Sequence, residues 1–381
     1  MPAELRLPGG VHRLGPPAAV PASDRPITCR VVYAAAHVVA DPLGENAPGA
    51  PAAVDWDGTL AFRRHLWSLG LGVADAMDTA QRGMGLGWDA TRELITRSGA
   101  EARTVGGRLA CGVGTDQLAA PASPAAVVDA YREQLAVVES AGARPVLMAS
   151  RALAALARGP EDYLQVYGDV IGSASRPVIL HWLGEMFDPA LAGYWGGTTL
   201  DDATDTVLAL IKDHASRVDG IKVSLLDAGR EIALRRALPP GVRLYTGDDF
   251  NYPDLIRGDE HGHSDALLGV FDPVAAVAAD ALRALETGDT DRYDALMAPT
   301  LPLARHLFAA PTYHYKTGVV FLAWLAGHQS HFTMVAGAQS GRSVPHLIEL
   351  FKLADAAGVL PDPELAAHRM RRFLRVAGVE A

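Results

Sequence analysis

The chain has 381 residues, 49% of them hydrophobic, and a formal net charge of −10 at pH 7. This is enough apolar material for one large core with an appendage, while the acidic balance and the lack of any Lys/Arg block exclude a nucleic-acid surface and favour a small-molecule partner. Cys29 and Cys111 lie far apart without CxxC spacing, which excludes a disulfide framework, and neither a secretory h-region nor a run of about 18 apolar residues is present, so a cytoplasmic protein without membrane contact is expected.

Residues 1–25 carry Pro2, Pro8, Pro16, Pro17 and Pro21 and read as an irregular arm, packed as a hairpin or a cap. A buried-strand pattern follows at 27–36, then a proline-rich loop and an amphipathic helix at 57–69. Strands are expected at 72–77, 108–113, 144–148 and 176–182, with helices at 88–97, 123–140, 161–171 and 201–217 between and after them. Ser123 and Thr199 are N-caps, and Pro124 takes the first helical position. The sixth to eighth strands fall at 218–227, 241–246 and 265–270, and a helix follows at 273–285.

Eight apolar strands in strand–helix alternation predict an α/β fold, a (β/α)8 TIM barrel over 26–288. A doubly wound sheet would show GxGxxG after an early strand, and none stands there. Helical patterns at 289–308, 313–327, 344–357 and 363–376 predict a C-terminal helical region, 289–381, that covers the barrel or supports oligomerisation.

One stretch, VDGIKVSLLD (218–227), places an amine inside a β-branched run. The chain has four lysines, Lys212, Lys222, Lys316 and Lys352, against 30 arginines, so a plain positive charge is almost always written as Arg. A guanidinium stays protonated, whereas a desolvated lysine can lose its proton and attack a carbonyl. The competing reading is a structural lysine whose head reaches water. Strand alternation sends Ile221, Val223 and Leu225 outward and Lys222 and Ser224 into the barrel. Reactive groups of such barrels stand at the C-terminal strand ends, which adds Tyr245, Asp248 and Asp249 after the seventh strand, His181 on the fifth, and Asp78, Thr79, Gln81 and Arg82 after the second as carboxylate holders. Asp248 and Asp249 have a plainer use as turn caps.

The order of elements, with GIK on the sixth strand, RPVILHW before it, YTGDD after the seventh and PTYHYKTGVVFLAWL near the end, resembles the dihydrodipicolinate synthase/N-acetylneuraminate lyase family of class I aldolases. The resemblance spans about residues 27–330 and implies a Schiff base between Lys222 and the keto group of a 2-oxo acid, no cofactor or metal, and a homo-oligomer. Two departures accompany it. Of the family's Thr-Thr-Gly-Glu after the second strand only Thr79 remains as an equivalent, with Arg82 nearby, and Met148-Ala149-Ser150-Arg151 stands where the family has its proton-relay tyrosine. His181, Ser150, Tyr245 or Tyr33 must then move protons; His181 is preferred because imidazole titrates near neutral pH. Thr79, Arg82, Ser224, Asp248 and Asp249 are the expected substrate-binding set.

The expected activity is therefore that of a lyase or synthase acting on a 2-oxo acid or aldehyde-derived substrate. Two alternatives stay open. His181, Asp248, Asp249, His261 and His263 offer a ligand set for a divalent metal, although His261 and His263 precede the eighth strand and so belong to the opposite mouth. The second is a barrel that binds a small molecule without catalysis.

Overall fold

A computed structural model describes residues 3–21, 27–118 and 123–379. Two strands, β1 (Glu4–Leu7) and β2 (Gly10–Arg13), form an antiparallel hairpin. Eight more, β3 (Val32–Ala35), β4 (Gly72–Asp75), β5 (Leu109–Val113), β6 (Arg144–Leu147), β7 (Val178–Leu183), β8 (Val218–Ser224), β9 (Arg243–Thr246) and β10 (Asp265–Leu268), close a barrel in which every neighbouring pair is parallel. This is the expected (β/α)8 TIM barrel.

Its helices are α1 (Trp56–Ser68), α2 (Trp88–Val105), α3 (Pro124–Ser140), α4 (Arg151–Leu156), α5 (Pro160–Ser173), α6 (Leu200–Asp213), α7 (Ala228–Ala237), α8 (Tyr252–Arg257) and α9 (Ala275–Glu286). Their starts follow the capping chemistry. Ser123 accepts from the Ala126 N–H, with Pro124 next in the chain, and Thr199 and Asp202 form a reciprocal capping box.

Several boundaries differ from the sequence reading because side chains compete for backbone groups. The first barrel strand starts at Val32 rather than 27, since Asp265 takes the Val31 N–H and Glu286 those of Thr28 and Cys29. The sixth ends at Ser224 because Leu226 is left-handed (φ +56°) and Asp227 caps α7 by accepting from the Arg230 N–H. The eighth ends at Leu268, and two residues on the Val270 N–H donates to Asp249. Pro299, which has no N–H to donate, separates α10 (Thr290–Met297) from α11 (Thr300–Leu307) where one long helix is expected.

Two cores result. An inner layer of Tyr33, Ala35, Ala74, Ala110, Val146, Ile179, Tyr245 and Leu267 fills the barrel, and a far larger one lies between barrel and helices. The three remaining helices, α12 (Tyr315–Leu325), α13 (Val344–Ala356) and α14 (Pro363–Val376), complete the chain. The N-terminal hairpin is tied to them, for His12 Nε2 lies 2.9 Å from Asp355 Oδ2 on α13 and the Gly15 N–H donates to the same carboxylate. Every residue of α12 is buried, and its first turn lies against the C-terminal ends of the barrel strands. Among the described residues, no helix is long and apolar enough to cross a membrane.

Candidate active site

Lys222 is the fifth residue of β8, and it shares its parity with the inward-facing layer while Ile221 and Val223 belong to the outer core. The barrel makes room for it on the neighbouring strand end. A Cβ on Gly247 would stand 2.8 Å from Lys222 Cε and 2.2 Å from Ser224 Oγ, so the lysine stem and the serine occupy the volume a side chain there would need. Lys222 is 5% exposed, and among the described residues its amine makes no hydrogen bond. Burial lowers its pKa from the ordinary lysine value, with Asp78 and then Asp249 opposing that shift.

These two carboxyls are driven apart. Asp249 is buried and pushed up to about 8, chiefly by desolvation, although it accepts from the Val270 N–H at 2.9 Å and feels the Lys222 charge. For Asp78, burial acts upward but is outweighed by Lys316, then Lys222 and His181, and by the Tyr315 hydroxyl, so its pKa falls below the usual value. The environment thus pushes Asp78 toward its carboxylate and Asp249 toward its acid form, and both are near enough for Lys222 to feel their charge, a division of acid and base roles set by surroundings. His181, opposite Lys222 in the β7–β8 register, is fully buried. Its Nε2 lies 3.3 Å from Ser224 Oγ, and its Nδ1 has no hydrogen-bond partner among the described residues. Desolvation, helped by the Lys222 charge, holds it well below the ordinary histidine pKa. It is a neutral imidazole, which disfavours it as a proton donor.

The group that carries a proton beside Asp78 comes from outside the barrel. Tyr315, the first residue of α12, donates its hydroxyl hydrogen to Asp78 Oδ2 at 2.9 Å and lies 2.6 Å from Thr79 Oγ1. A phenol has one hydrogen, so the threonine donates to the tyrosine and the chain runs Thr79 to Tyr315 to Asp78. The ring is held by stacking on Phe308, with centroids 4.4 Å apart. Gly269, after β10, leaves space for both rings and for Thr79; a Cβ there would lie 3.1 Å from Phe308, 3.3 Å from Tyr315 and 3.5 Å from Thr79 Oγ1. Asp78 and Thr79 sit on a short 3-10 turn bracketed by two left-handed residues, Ala76 (φ +53°) and Gln81 (φ +60°). A non-glycine residue in that region carries about 1 kcal/mol or more of strain, which here goes into aiming the turn at the mouth.

A cleft of about 500 Å³ opens beside this group, with Asp78, Arg82, Thr115, Met148, Phe187 and Lys316 on its wall. Arg82 is part of that wall through its framework role. It donates to Asp116 at 2.6 Å and to the Gly112 carbonyl at 2.7 Å, which ties the loop after β4 to β5. The other expected residues lie as follows. Ser150 caps α4, and its Oγ lies 2.6 Å from Thr115 Oγ1. Tyr131 donates to the Met148 carbonyl at 2.6 Å and Tyr194 accepts from the Ser150 N–H, so the tyrosines nearest this strand end are spent on backbone. Tyr245 donates to Asp219 at 2.6 Å, near the start of β8, and Tyr33 packs beside it, so both phenols face the N-terminal half of the barrel. Asp248 accepts from the Phe250 and Asn251 N–H groups and from the Asn251 amide, a turn cap. His261 and His263 stand before β10, at the other mouth, and no group of three His, Cys, Asp or Glu among the described residues is arranged to hold a metal.

Residues 10–379 match a family model described as "Protein of unknown function (DUF993)". The chain belongs to that family. No curated protein matches this DUF993 chain in sequence. Its fold is similar to that of dihydrodipicolinate synthase from Aquifex aeolicus, with 12% identity, 87% of this chain and 99% of that one covered, and a TM-score of 0.66. The Thermotoga maritima enzyme gives 13%, 87%, 99% and 0.64 in the same order. The Acinetobacter baumannii enzyme, complexed with pyruvate, gives 16%, 87%, 100% and 0.63. At such identities the likeness is one of fold, and the chemistry has to be argued from the site.

Proposed function

We propose that this DUF993 chain is a Schiff-base-forming lyase or synthase, which makes or breaks a carbon–carbon bond next to the carbonyl of a 2-oxo acid or related compound, with Lys222 as the nucleophile. The observation that carries the reading is the Lys222 amine itself, buried on the inner face of β8 at 5% exposure and without a hydrogen bond among the described residues, where burial lowers its pKa, Asp78 is held low and Asp249 is raised to about 8. The pyruvate complex of the Acinetobacter baumannii enzyme, which has this fold, lends support.

The neutral amine adds to the carbonyl carbon, one N–C bond forms, and the oxygen takes a proton to give a carbinolamine. Loss of that oxygen as water needs a proton donor, the role of Asp249 in its acid form, and leaves an iminium ion. The iminium withdraws electrons from the adjacent carbon, so a C–H or C–C bond there breaks to give an enamine. Asp78 receives the released proton, directly or through the Tyr315 hydroxyl, and the Thr79–Tyr315–Asp78 chain returns it in the reverse direction. Ser224 and the neutral His181 fix the barrel side of the amine. Hydrolysis restores Lys222.

Incubation with a panel of 2-oxo acids and aldehydes, followed by borohydride reduction and intact-mass measurement, tests this. The expected result is a stable adduct equal to the substrate mass less one oxygen. Absence of any adduct across the panel would sink the Schiff-base mechanism.

A further inference from the structure

Two of the chain's four lysines, Lys222 and Lys316, are brought to one mouth of the barrel, and both are buried, 5% and 4% exposed. Lys316 is the second residue of α12. Its amine donates to the Tyr313 carbonyl at 3.3 Å, lies 3.4 Å from the Met84 sulfur, a weak acceptor, and stays 4.0 Å from Asp78 Oδ2. An ammonium has three N–H donors, and a buried one with a single good acceptor is under-satisfied. Asp78 Oδ2, at 4.0 Å, is in ion-pair range but beyond hydrogen-bond distance, so it does not complete the set. The other cations on the cleft wall are matched, Arg82 by Asp116 at 2.6 Å and Arg151 by Asp188 at 2.5 Å. Among the described residues Lys316 is the cleft-wall cation whose donors are incompletely met. In a chain that writes positive charge as arginine, a compact ammonium here suits the narrow space between the Met84 sulfur and the Tyr315 ring, whose centroid is 4.8 Å away.

The geometry points to Lys316 as a substrate-binding residue, which takes the carboxylate of the carbonyl compound that reacts at Lys222. This rests on the reading of Lys222 given above. It narrows the substrate class to carbonyl compounds that carry an anionic group, held from α12, and it makes α12 the element that sets specificity. Asp78 is the residue common to both amines, for its carboxyl is perturbed by Lys316 first and by Lys222 next.

The test is the concentration dependence of borohydride trapping. Glyoxylate, pyruvate and 2-oxoglutarate form the charged set, acetaldehyde and hydroxyacetone the neutral one. In Lys316→Gln, and in the volume-matched Lys316→Met, the half-saturating concentration of the charged set rises about tenfold or more, the loss expected for a charge-assisted hydrogen bond. The trapping rate of both sets falls, because Asp78 loses its foremost cation, but the half-saturating concentration of the neutral carbonyls stays at the wild-type value, which separates this effect from misfolding. An equal shift for both sets, no shift, or an adduct mapped to Lys316 itself would overturn the assignment. If no carbonyl compound is trapped by any form, the Lys222 reading fails, and calorimetric titration with oxalate and malonate then decides the anion site alone. Binding to the wild type that is lost in Lys316→Gln supports it; binding unchanged in the variant, or absent in the wild type, overturns it.

Discussion

The two ends of the barrel hold similar residues in opposite states. At the N-terminal end Tyr245 donates to Asp219, Arg243 to Asp265, and Arg144 stands 3.7 Å from Asp219, so the phenol and both guanidiniums have partners. At the C-terminal end, among the described residues, the Lys222 amine makes no hydrogen bond and His181 Nδ1 has no partner, and the Asp249 pKa is raised to about 8. Buried polar groups are ordinarily satisfied, so a paired cluster closes and steadies a barrel, whereas a cluster left incomplete marks the place where a ligand completes it. The same residue type, tyrosine, is spent on one ion-paired carboxylate at one end, as Tyr245, and stands in the Thr79–Tyr315–Asp78 chain at the other, brought there by α12.

The sharpest break in the comparison is Lys222→Met. It removes adduct formation altogether while the melting temperature stays level or rises, because an apolar side chain replaces a desolvated amine; retained adduct, read by intact mass, would contradict the assignment. Tyr315→Phe comes next. The ring keeps its place on Phe308, but the proton route is cut, so the rate of adduct formation in stopped trapping falls about 10²-fold or more. Asp249→Asn has a smaller effect with a diagnostic pH dependence. In the wild type the rate falls as pH rises through about 8, where the acid form is lost, and in the variant that fall is absent. The same group has a stability sign. Its folded pKa is raised above the usual 3.8, so its contribution is complete below about 4 and is lost as pH climbs to about 8. Thermal melts of Asp249→Asn across this window should therefore be flatter than those of the wild type. Tyr245→Phe, at the paired end, is the smallest for chemistry. It costs about 1–2 kcal/mol in a denaturant titration through the lost bond to Asp219 and leaves trapping unchanged.

How far the sequence leads differs between scaffold and site. The barrel is legible because eight short apolar runs alternate with helical patterns, and a period of two alone puts Lys222 and Ser224 inside. His181 on β7 follows from the same rule, and Asp249, three residues beyond β9, from the expectation that reactive groups follow the C-terminal strand ends. Tyr315 and Lys316 do not follow from it. They reach the mouth on α12, whose docking depends on Gly269 and Phe308 and leaves no mark in local periodicity. The rarity of lysine applies to Lys316 as much as to Lys222, and the stretch PTYHYKTGVVFLAWL that holds both residues enters the family resemblance, but neither signal says that they reach the mouth. Strand ends were legible to within a few residues, and the shifts trace to side chains such as Asp265 and Asp249 that take backbone N–H groups no sequence pattern assigns.

Peptide mapping of the borohydride-reduced adduct tests the central claim most directly, because four lysines make the assignment unambiguous. The account predicts the label on the peptide containing Lys222, with Lys212, Lys316 and Lys352 unmodified. A label on any of those three with Lys222 free would contradict it.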